Sequence, residues 1–244
     1  MLFFVPANHK GVHLEAHELA DGTTNGHIEF RSVLLAEHAL LAEGFSVSNA
    51  LDDTRELARL GSSAYLLGIA ETLFDMTLEY LCTREQFGRP IGGFQALQHR
   101  AVDLFIQKEL TASVVEECLT EFDNTTDHGS RRRAASRAKY RAGETALLVA
   151  RQAVQLHGGI GFTDECNVGL YLNRALVISA RYGNSSFHCR RLSHLIAPEN
   201  ENNETTLISK GKDLTNKDWN KLADDQFRSA VRAWLERDYP EEMR

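Results

Sequence analysis

The stretch QLHGGIGFTDE, residues Gln155–Glu165, decides the fold because it ends a long alanine-rich helical run and precedes another helical segment. It contains Gly158, Gly159 and Gly161, and glycine adopts backbone angles that other residues avoid. A helix C-cap followed by a tight turn is the simplest interpretation of this pattern. Glycine also lets a ligand or another chain approach the backbone closely, so the stretch is equally a candidate docking edge.

Composition limits the class of protein. The 244 residues suffice for one or two domains, and the 43% hydrophobic and 25% charged residues are typical of globular proteins. The net charge of −7 argues against nucleic acid or an anionic membrane as a partner, and no apolar run approaches the length of a membrane span. The cysteines lack a CxxC pair, which predicts reduced thiols in a cytoplasmic protein. They are Cys82, Cys118, Cys166 and Cys189.

Residues 1–34 show the alternation of β-strands, with a turn predicted at residues 21–26. The apolar members of the alternation are Val12, Leu14, Ala16, Ile28 and Phe30. His9, His13 and His17 are spaced four residues apart, which on a helix would suggest a metal site. The alternation puts them on a strand instead, so we predict no metal site.

The rest of the chain up to residue 196 has helical periodicity. We predict helices at 48–84, 95–123, 131–157, 165–181 and 184–196. The apolar face of the first contains Leu57, Leu60, Ala64, Leu67, Ala70, Leu73 and Phe74, and that of the second contains Leu97, Ala101, Leu104, Phe105, Ile106, Val114 and Val115. The third has a stripe of alanines that suits close packing. Short connections between long amphipathic helices predict an antiparallel bundle.

Two motifs together carry a family resemblance. With the upstream segment REQFGRPI, residues Arg84–Ile91, the glycine stretch resembles the C-terminal helical domain of the acyl-CoA dehydrogenase family of flavoenzymes. The resemblance runs from about Met1 to about Pro198. It implies a mainly α fold, an antiparallel helical bundle of the acyl-CoA dehydrogenase C-terminal type at 45–197, preceded by the last strands of a truncated β-domain at 1–44. The earlier strands of that domain have no counterpart, so we expect the chain to be a fragment.

The C-terminal part lacks apolar periodicity just after Pro198, which predicts a linker at 198–215. An amphipathic helix is expected in 216–244. It either docks on the bundle or begins a second unit, because DQFRSAVRAWL, residues Asp225–Leu235, resembles the opening helix of another acyl-CoA dehydrogenase-like unit.

The resemblance implies FAD as cofactor. FAD carries two phosphates and a wide planar ring, so its site needs cations, backbone donors and amide side chains. In the family, residues matching Arg84, Phe87 and Gln95 touch the FAD of a neighbouring subunit, and the segment matching Gln155–Gly159 receives its ADP half. An arginine before a turn is usually only solvated, but the three motifs keep the family's order and separations. The implied cofactor-binding residues are Arg84, Phe87, Gln95, Gln155, Leu156, His157, Gly158, Gly159 and Ser185.

The resemblance also implies a substrate channel along the first helix. The family often has an acidic residue three positions before an arginine there, and Glu56 and Arg59 keep that spacing. Tyr182 is the third implied substrate-binding residue. From the residues alone, Glu56 and Arg59 favour an ordinary surface ion pair at i,i+3.

The catalytic base of the family has no counterpart in this chain. Most members place a glutamate in a Tyr-Glu-Gly-Thr-like segment, and the matching stretch is YGNSS, residues Tyr182–Ser186, with Gly183 at the base position. A minority place the base on the first helix, where this chain has Ala58. Two further residues depart from the family pattern. Phe187 stands at a family glutamine position, and Ala175 follows Arg174 where the family commonly has an arginine–aspartate pair. We therefore predict no catalytic residue in this unit.

For function, the resemblance implies α,β-dehydrogenation of acyl-CoA thioesters with FAD. It also implies a homo- or hetero-oligomer with FAD at the subunit interface and an electron-transfer flavoprotein as acceptor. Without a base, the unit is interpreted as completing the FAD site of an active partner, as in heteromeric and tandem members that act on steroid-derived CoA thioesters. The alternatives are a scaffold subunit without flavin and a related flavin-dependent oxidase.

Overall fold

The computed structural model describes residues 1–196. The predicted linker at 198–215 and the predicted helix of a second unit at 216–244 lie outside the described residues and stay predictions. So do the domain boundaries, although a long helix begins at Phe45, next to the boundary predicted between 44 and 45.

The N-terminal segment consists of short antiparallel strand pairs. Strands β1 (Leu2–Phe3) and β4 (Leu40–Ala42) form one pair, and β2 (Val12–Glu18) and β3 (Thr24–Phe30) form a hairpin in which Leu14 lies opposite Ile28. The turn is tighter than predicted. Asp21 accepts hydrogen bonds from the backbone and the hydroxyl of Thr23, at 3.1 and 2.6 Å, so β3 already begins at Thr24.

Five helices build the rest of the described chain. Helix α1 covers Phe45–Thr83, α2 Gln95–Asn124, α3 His128–His157, α4 Val168–Ala180 and α5 Ser185–Ile196. A two-residue hairpin, β5 (Glu85–Gln86) and β6 (Arg89–Pro90), separates α1 from α2. Helix α3 starts three residues earlier than predicted because the Asp127 carboxylate caps it, accepting from the Ser130 N–H at 2.7 Å.

Helix α3 forms the centre of the bundle and packs against each of the other four helices. Its buried stripe is made of small residues, which lets the neighbouring helices approach closely. These are Ala134, Ala135, Ala138, Ala142, Ala146, Ala150 and Ala153. The predicted antiparallel helical bundle is confirmed. None of the helices within residues 1–196 is long and apolar enough to cross a membrane.

The predicted apolar faces of α1 and α2 were partly wrong. Leu57 is 58% exposed and Phe105 46% exposed, whereas Leu66, which lay outside the predicted face, is fully buried. The reason is geometric. Helix α1 contacts three helices, α2, α3 and α4, so its buried surface is wider than a single stripe.

An ion pair ties the β2–β3 hairpin to the bundle. The Asp21 carboxylate accepts from Arg174 Nη1 of α4 at 2.6 Å, and the Arg174 guanidinium also lies over the Tyr65 ring of α1, 5.0 Å from its centroid. The hydrogen bonds from Thr23 and Arg174 lower the pKa of Asp21 to about 2. The carboxylate that pairs with Arg174 therefore comes from Asp21 of the hairpin, because the residue that follows Arg174 is an alanine.

Candidate functional site

The glycine turn ends α3, and its glycines are there for different reasons. Gly158 has φ +66° and caps the helix, its N–H donating to the carbonyls of Val154 and Gln155. A Cβ on Gly161 would lie 2.8 Å from the Val154 carbonyl oxygen, so packing excludes a side chain there. Gly159 meets neither constraint, because no described atom lies within 4 Å of where its Cβ would stand. Its backbone remains open to approach from outside.

A cavity of about 810 Å³ lies where the ends of α1 and α3 come close to the first turns of α2. Arg84 follows the last residue of α1, Arg100 comes from α2, and Gln155–Gly159 supply the end of α3 and the turn. Arg84 and Gln155, which are 71 positions apart in sequence, thus border the same cavity.

Most of the sequence-predicted cofactor residues line this cavity. These are Arg84, Gln155, Leu156, His157, Gly158 and Gly159. Phe87, Gln95 and Ser185 do not line it. Phe87 lies at the tip of the β5–β6 hairpin, 92% exposed, and Gln95 is the exposed first residue of α2. Ser185 begins α5 and packs against Gly143 of α3 instead.

Sequence reasoning missed Tyr80, Arg100 and Thr163, which also line the cavity. Tyr80 could have been found, because it lies in the last turn of α1, only four residues before Arg84, whose N–H donates to its carbonyl oxygen at 2.9 Å. Its ring stacks on that of His157 at 4.4 Å between centroids, and the His157 Nδ1 lies 2.8 Å from the Ala153 carbonyl oxygen. The stack holds one wall of the cavity in place.

The charged groups of the cavity favour an anion. Its fully charged side chains are Arg84, Arg100 and Glu165, two cations against one carboxylate. Within residues 1–196, no carboxylate lies within ion-pair distance of either guanidinium, whereas other arginines of the bundle are paired. This local positive charge contrasts with the net −7 of the chain.

Glu56 and Arg59 do not form the ordinary surface pair that the residues alone favoured. Glu56 is 2% exposed and accepts from Arg59 Nη1 at 2.7 Å. Arg191 of α5 donates to both Glu56 oxygens, with Nη1 at 2.9 Å from Oε2, and to Ser136 Oγ at 2.8 Å. The cluster is an internal ion-pair network that joins α1, α3 and α5.

The turn at the family's base position has a left-handed backbone at two residues. Tyr182 has φ +61° and Gly183 has φ +109°. A Cβ on Gly183 would overlap the Phe187 ring and lie 3.0 Å from His188 Nε2, so no side chain fits in this conformation. Ala58, the alternative base position, lies half-buried on α1 and has no proton-accepting group.

Two buried titratable residues lie under this turn. Lys139 is 1% exposed and donates from Nζ to the carbonyls of Ile178, Ser179 and Gly183, at 3.1, 2.8 and 3.3 Å. Burial, with a smaller effect from the Arg59 charge, lowers the pKa of Lys139 to about 8. Burial and then the Lys139 charge lower the pKa of His188 to about 4, so its ring is neutral near pH 7.

The sequence of the bundle matches a known family. The model for the acyl-CoA dehydrogenase C-terminal domain matches residues 48–196. This chain therefore belongs to the acyl-CoA dehydrogenase family, and the predicted resemblance is confirmed.

Relatives of known name support the same assignment. The acyl-CoA dehydrogenase IpdE2 of Mycolicibacterium smegmatis is 38% identical over 120 residues, covering 49% of this chain and 36% of that protein. Among solved structures, the Tcur3481–Tcur3483 steroid ACAD is 33% identical with a TM-score of 0.66 over 80% of this chain and 51% of its own. The ChsE4-ChsE5 complex from Mycobacterium tuberculosis is 27% identical, with a TM-score of 0.72 over 81% of this chain and 52% of its own. The chain spans about half or less of the length of these relatives.

Proposed function

We propose that this chain is a unit of an FAD-dependent acyl-CoA dehydrogenase that completes the cofactor site of an active partner and supplies no catalytic base. The observation that carries the proposal is the cavity that Arg84 and Gln155–Gly159 share, combined with a Gly183 turn that has no room for a side chain. The cavity would serve cofactor binding. The Gly183 turn, in this conformation, excludes the glutamate that starts the reaction in the family.

The residues of the cavity fit the nucleotide half of FAD. A diphosphate needs cationic and backbone donors, which Arg84, Arg100 and the open backbone at Gly159 would provide. Leu97 and Ile160 give the cavity apolar walls, which suit an adenosine group. Because Phe87 and Gln95 lie outside the cavity, the flavin ring would lie beyond it, toward a partner chain.

When bound, FAD supplies hydride acceptance from the β-carbon of a CoA thioester. The contribution of this chain would be to bind and orient the nucleotide half. The proton must leave the α-carbon through a base, and neither Gly183 nor Ala58 has a group that accepts one. Because the loss of general base catalysis costs about 10²–10⁴ in rate, the base must come from another unit.

The substrate class proposed for the assembly is a bulky acyl-CoA thioester such as a steroid-derived one, with an electron-transfer flavoprotein as acceptor. Two of the relatives support it: one solved structure is named a steroid ACAD, and another is a complex of two differently named components. Glu56 and Arg59, implied as substrate-binding residues, hold each other and Arg191 in this chain. Because these charged groups already bind one another, we propose that the substrate binds on the partner's side.

Titration of the full chain with FAD and with ADP, followed by calorimetry, tests the cofactor half of the proposal. We expect ADP binding that Arg84→Ala weakens and that the control Arg151→Ala, exposed on α3 away from the cavity, leaves unchanged. Equal affinities of the two variants would contradict a nucleotide site at Arg84.

Acyl-CoA-dependent dye reduction by the purified chain with added FAD tests the catalytic half. We expect no turnover above background for the chain alone. Turnover at the rate of a complete dehydrogenase would disprove the proposal, and oxygen consumption in place of dye reduction would favour the related oxidase. A chain that binds neither FAD nor ADP would instead be a scaffold subunit.

A further inference from the structure

Arg100 is one of three exposed arginines in residues 1–196 whose guanidinium has no partner among those residues. Thirteen of the sixteen arginines in residues 1–196 make a side-chain hydrogen bond, an ion pair or a contact with an aromatic ring. Of the remaining three, Arg84 and Arg100 line the same cavity and Arg151 does not.

The nearest acidic residue in sequence does not explain Arg100. Asp103 lies three residues further along α2, a spacing that often produces an ion pair on a helix. The two side chains border a second cavity, of about 630 Å³, yet no ion pair forms between them within 4.0 Å. Arg100 is exposed and borders both cavities, so its guanidinium can be reached from the larger one.

A second observation at this cavity points to an anion. The first turn of α2 lines it through Ala96 and Leu97, and no side chain caps the N-terminal end of this 30-residue helix. The Leu97 N–H donates to the Phe94 carbonyl oxygen at 3.0 Å, which leaves the Ala96 N–H without a backbone partner in residues 1–196. A free N–H group at a helix start favours negative charge. Arg100 lies on the next turn of the same helix, so its charge adds to that of the helix end.

We infer that Arg100 is a second phosphate-binding residue of the cavity, which together with Arg84 holds the diphosphate of an adenine nucleotide. The inference rests on the proposed cofactor half-site and adds a residue to it. One guanidinium binds one phosphate through paired N–H donors, so Arg84 after the end of α1 and Arg100 in α2 would together fix the position of both phosphates. Arg100 lies outside both motifs, so no role was predicted for it.

The test uses ADP as the probe and the full chain at low salt, with calorimetric affinities for Arg100→Gln, Arg100→Lys, Arg84→Gln and Arg151→Gln. A lost charge-assisted hydrogen bond corresponds to a roughly ten- to a hundredfold loss of affinity. We expect that loss for the glutamine variants at 84 and 100, a smaller loss for Arg100→Lys, and no change for Arg151→Gln. The dependence of affinity on salt concentration should also become shallower in Arg100→Gln.

The outcomes separate the inference from the proposed function. If Arg84→Gln weakens ADP binding and Arg100→Gln does not, the inference fails and the half-site stands. If the wild-type chain does not bind ADP, both fail. An equal loss in Arg100→Lys and Arg100→Gln, with the thermal midpoint of each variant lowered, would make Arg100 a structural residue and also overturn the inference.

Discussion

The ring of Phe187 occupies the space into which any side chain at Gly183 would extend. The exclusion of a side chain at position 183 thus depends on several residues around the turn and not on Gly183 alone. Gly183 has the positive φ that favours glycine, Phe187 fills the neighbouring volume, and Lys139 holds the Gly183 carbonyl from inside the bundle. A glutamate placed at 183 would require the Phe187 ring to move, because its Cβ would overlap that ring.

We predict that Gly183→Ala destabilises the chain by about 1–3 kcal/mol, because the left-handed backbone is strained for alanine and its Cβ overlaps Phe187. Adding Phe187→Ala to this variant should recover the part of the lost stability that comes from the overlap. Denaturant unfolding measures the free energy of unfolding of the single and the double variant. Gly169→Ala in α4 is the control, because Gly169 has open space around it and lacks a positive φ; a loss of similar size there would contradict the steric explanation.

Replacing Glu56 tests the internal network. Glu56→Gln leaves Arg59 and Arg191 without a buried counter-charge, and breaking a buried ion pair costs about 3–5 kcal/mol. Glu29→Gln is the matched control, since Glu29 pairs with Arg31 at 2.7 Å on the exposed hairpin, where solvent screening leaves such a pair little effect on stability. Equal effects on the free energy of unfolding would mean that Glu56 is not structurally important.

His188 should make the chain less stable in mild acid. Its folded pKa of about 4 lies below the ordinary 6.5, because burial and the charges of Lys139, Arg59 and Arg191 oppose its protonation. Between those values the unfolded chain binds more protons, so the free energy of unfolding falls as pH falls from about 6.5 to 4, by up to about 3 kcal/mol. In His188→Leu this part of the pH dependence should vanish; an unchanged profile would assign it to other groups.

Lys139 should make the free energy of unfolding depend on pH in the alkaline range. Its folded pKa of about 8 lies below the ordinary 10.5. Between these values the unfolded chain binds more protons, so the free energy of unfolding should rise as pH increases from about 8 to 10.5. Urea unfolding across this range measures the rise. Lys139→Met should abolish it and also release the Gly183 carbonyl; a rise of the same size in the variant would contradict the assignment.

The hairpin should loosen when its ion pair is removed. Asp21→Asn keeps the size of the side chain but removes the charge that Arg174 binds at 2.6 Å. Hydrogen exchange of β2 and β3 should then speed up while that of α3 stays the same. Faster exchange in both regions would mean that the substitution weakens the bundle itself and not the attachment of the hairpin.

Local signals allowed the helices and the glycine turn to be predicted. The apolar periodicity of α2 and the break at Gly158 depend on neighbouring residues, so they are visible in a single sequence. The burial of Glu56 is not, because it depends on Arg191, which is 135 residues away. Arg100 was missed because it lies outside both motifs, and only the folded bundle shows that it lines the same cavity as Arg84.

The exposed ring of Phe87 has a thermodynamic consequence. The left-handed backbone at Phe87, with φ +55°, lies at the tip of a tight hairpin, and the ring has an edge contact with Phe94 at 6.0 Å between centroids. The ring is 92% exposed, so a molecule that covers it removes nearly the whole apolar area of a phenylalanine from water. That gain is set against about 0.5–1.5 kcal/mol for ordering the side chain on association.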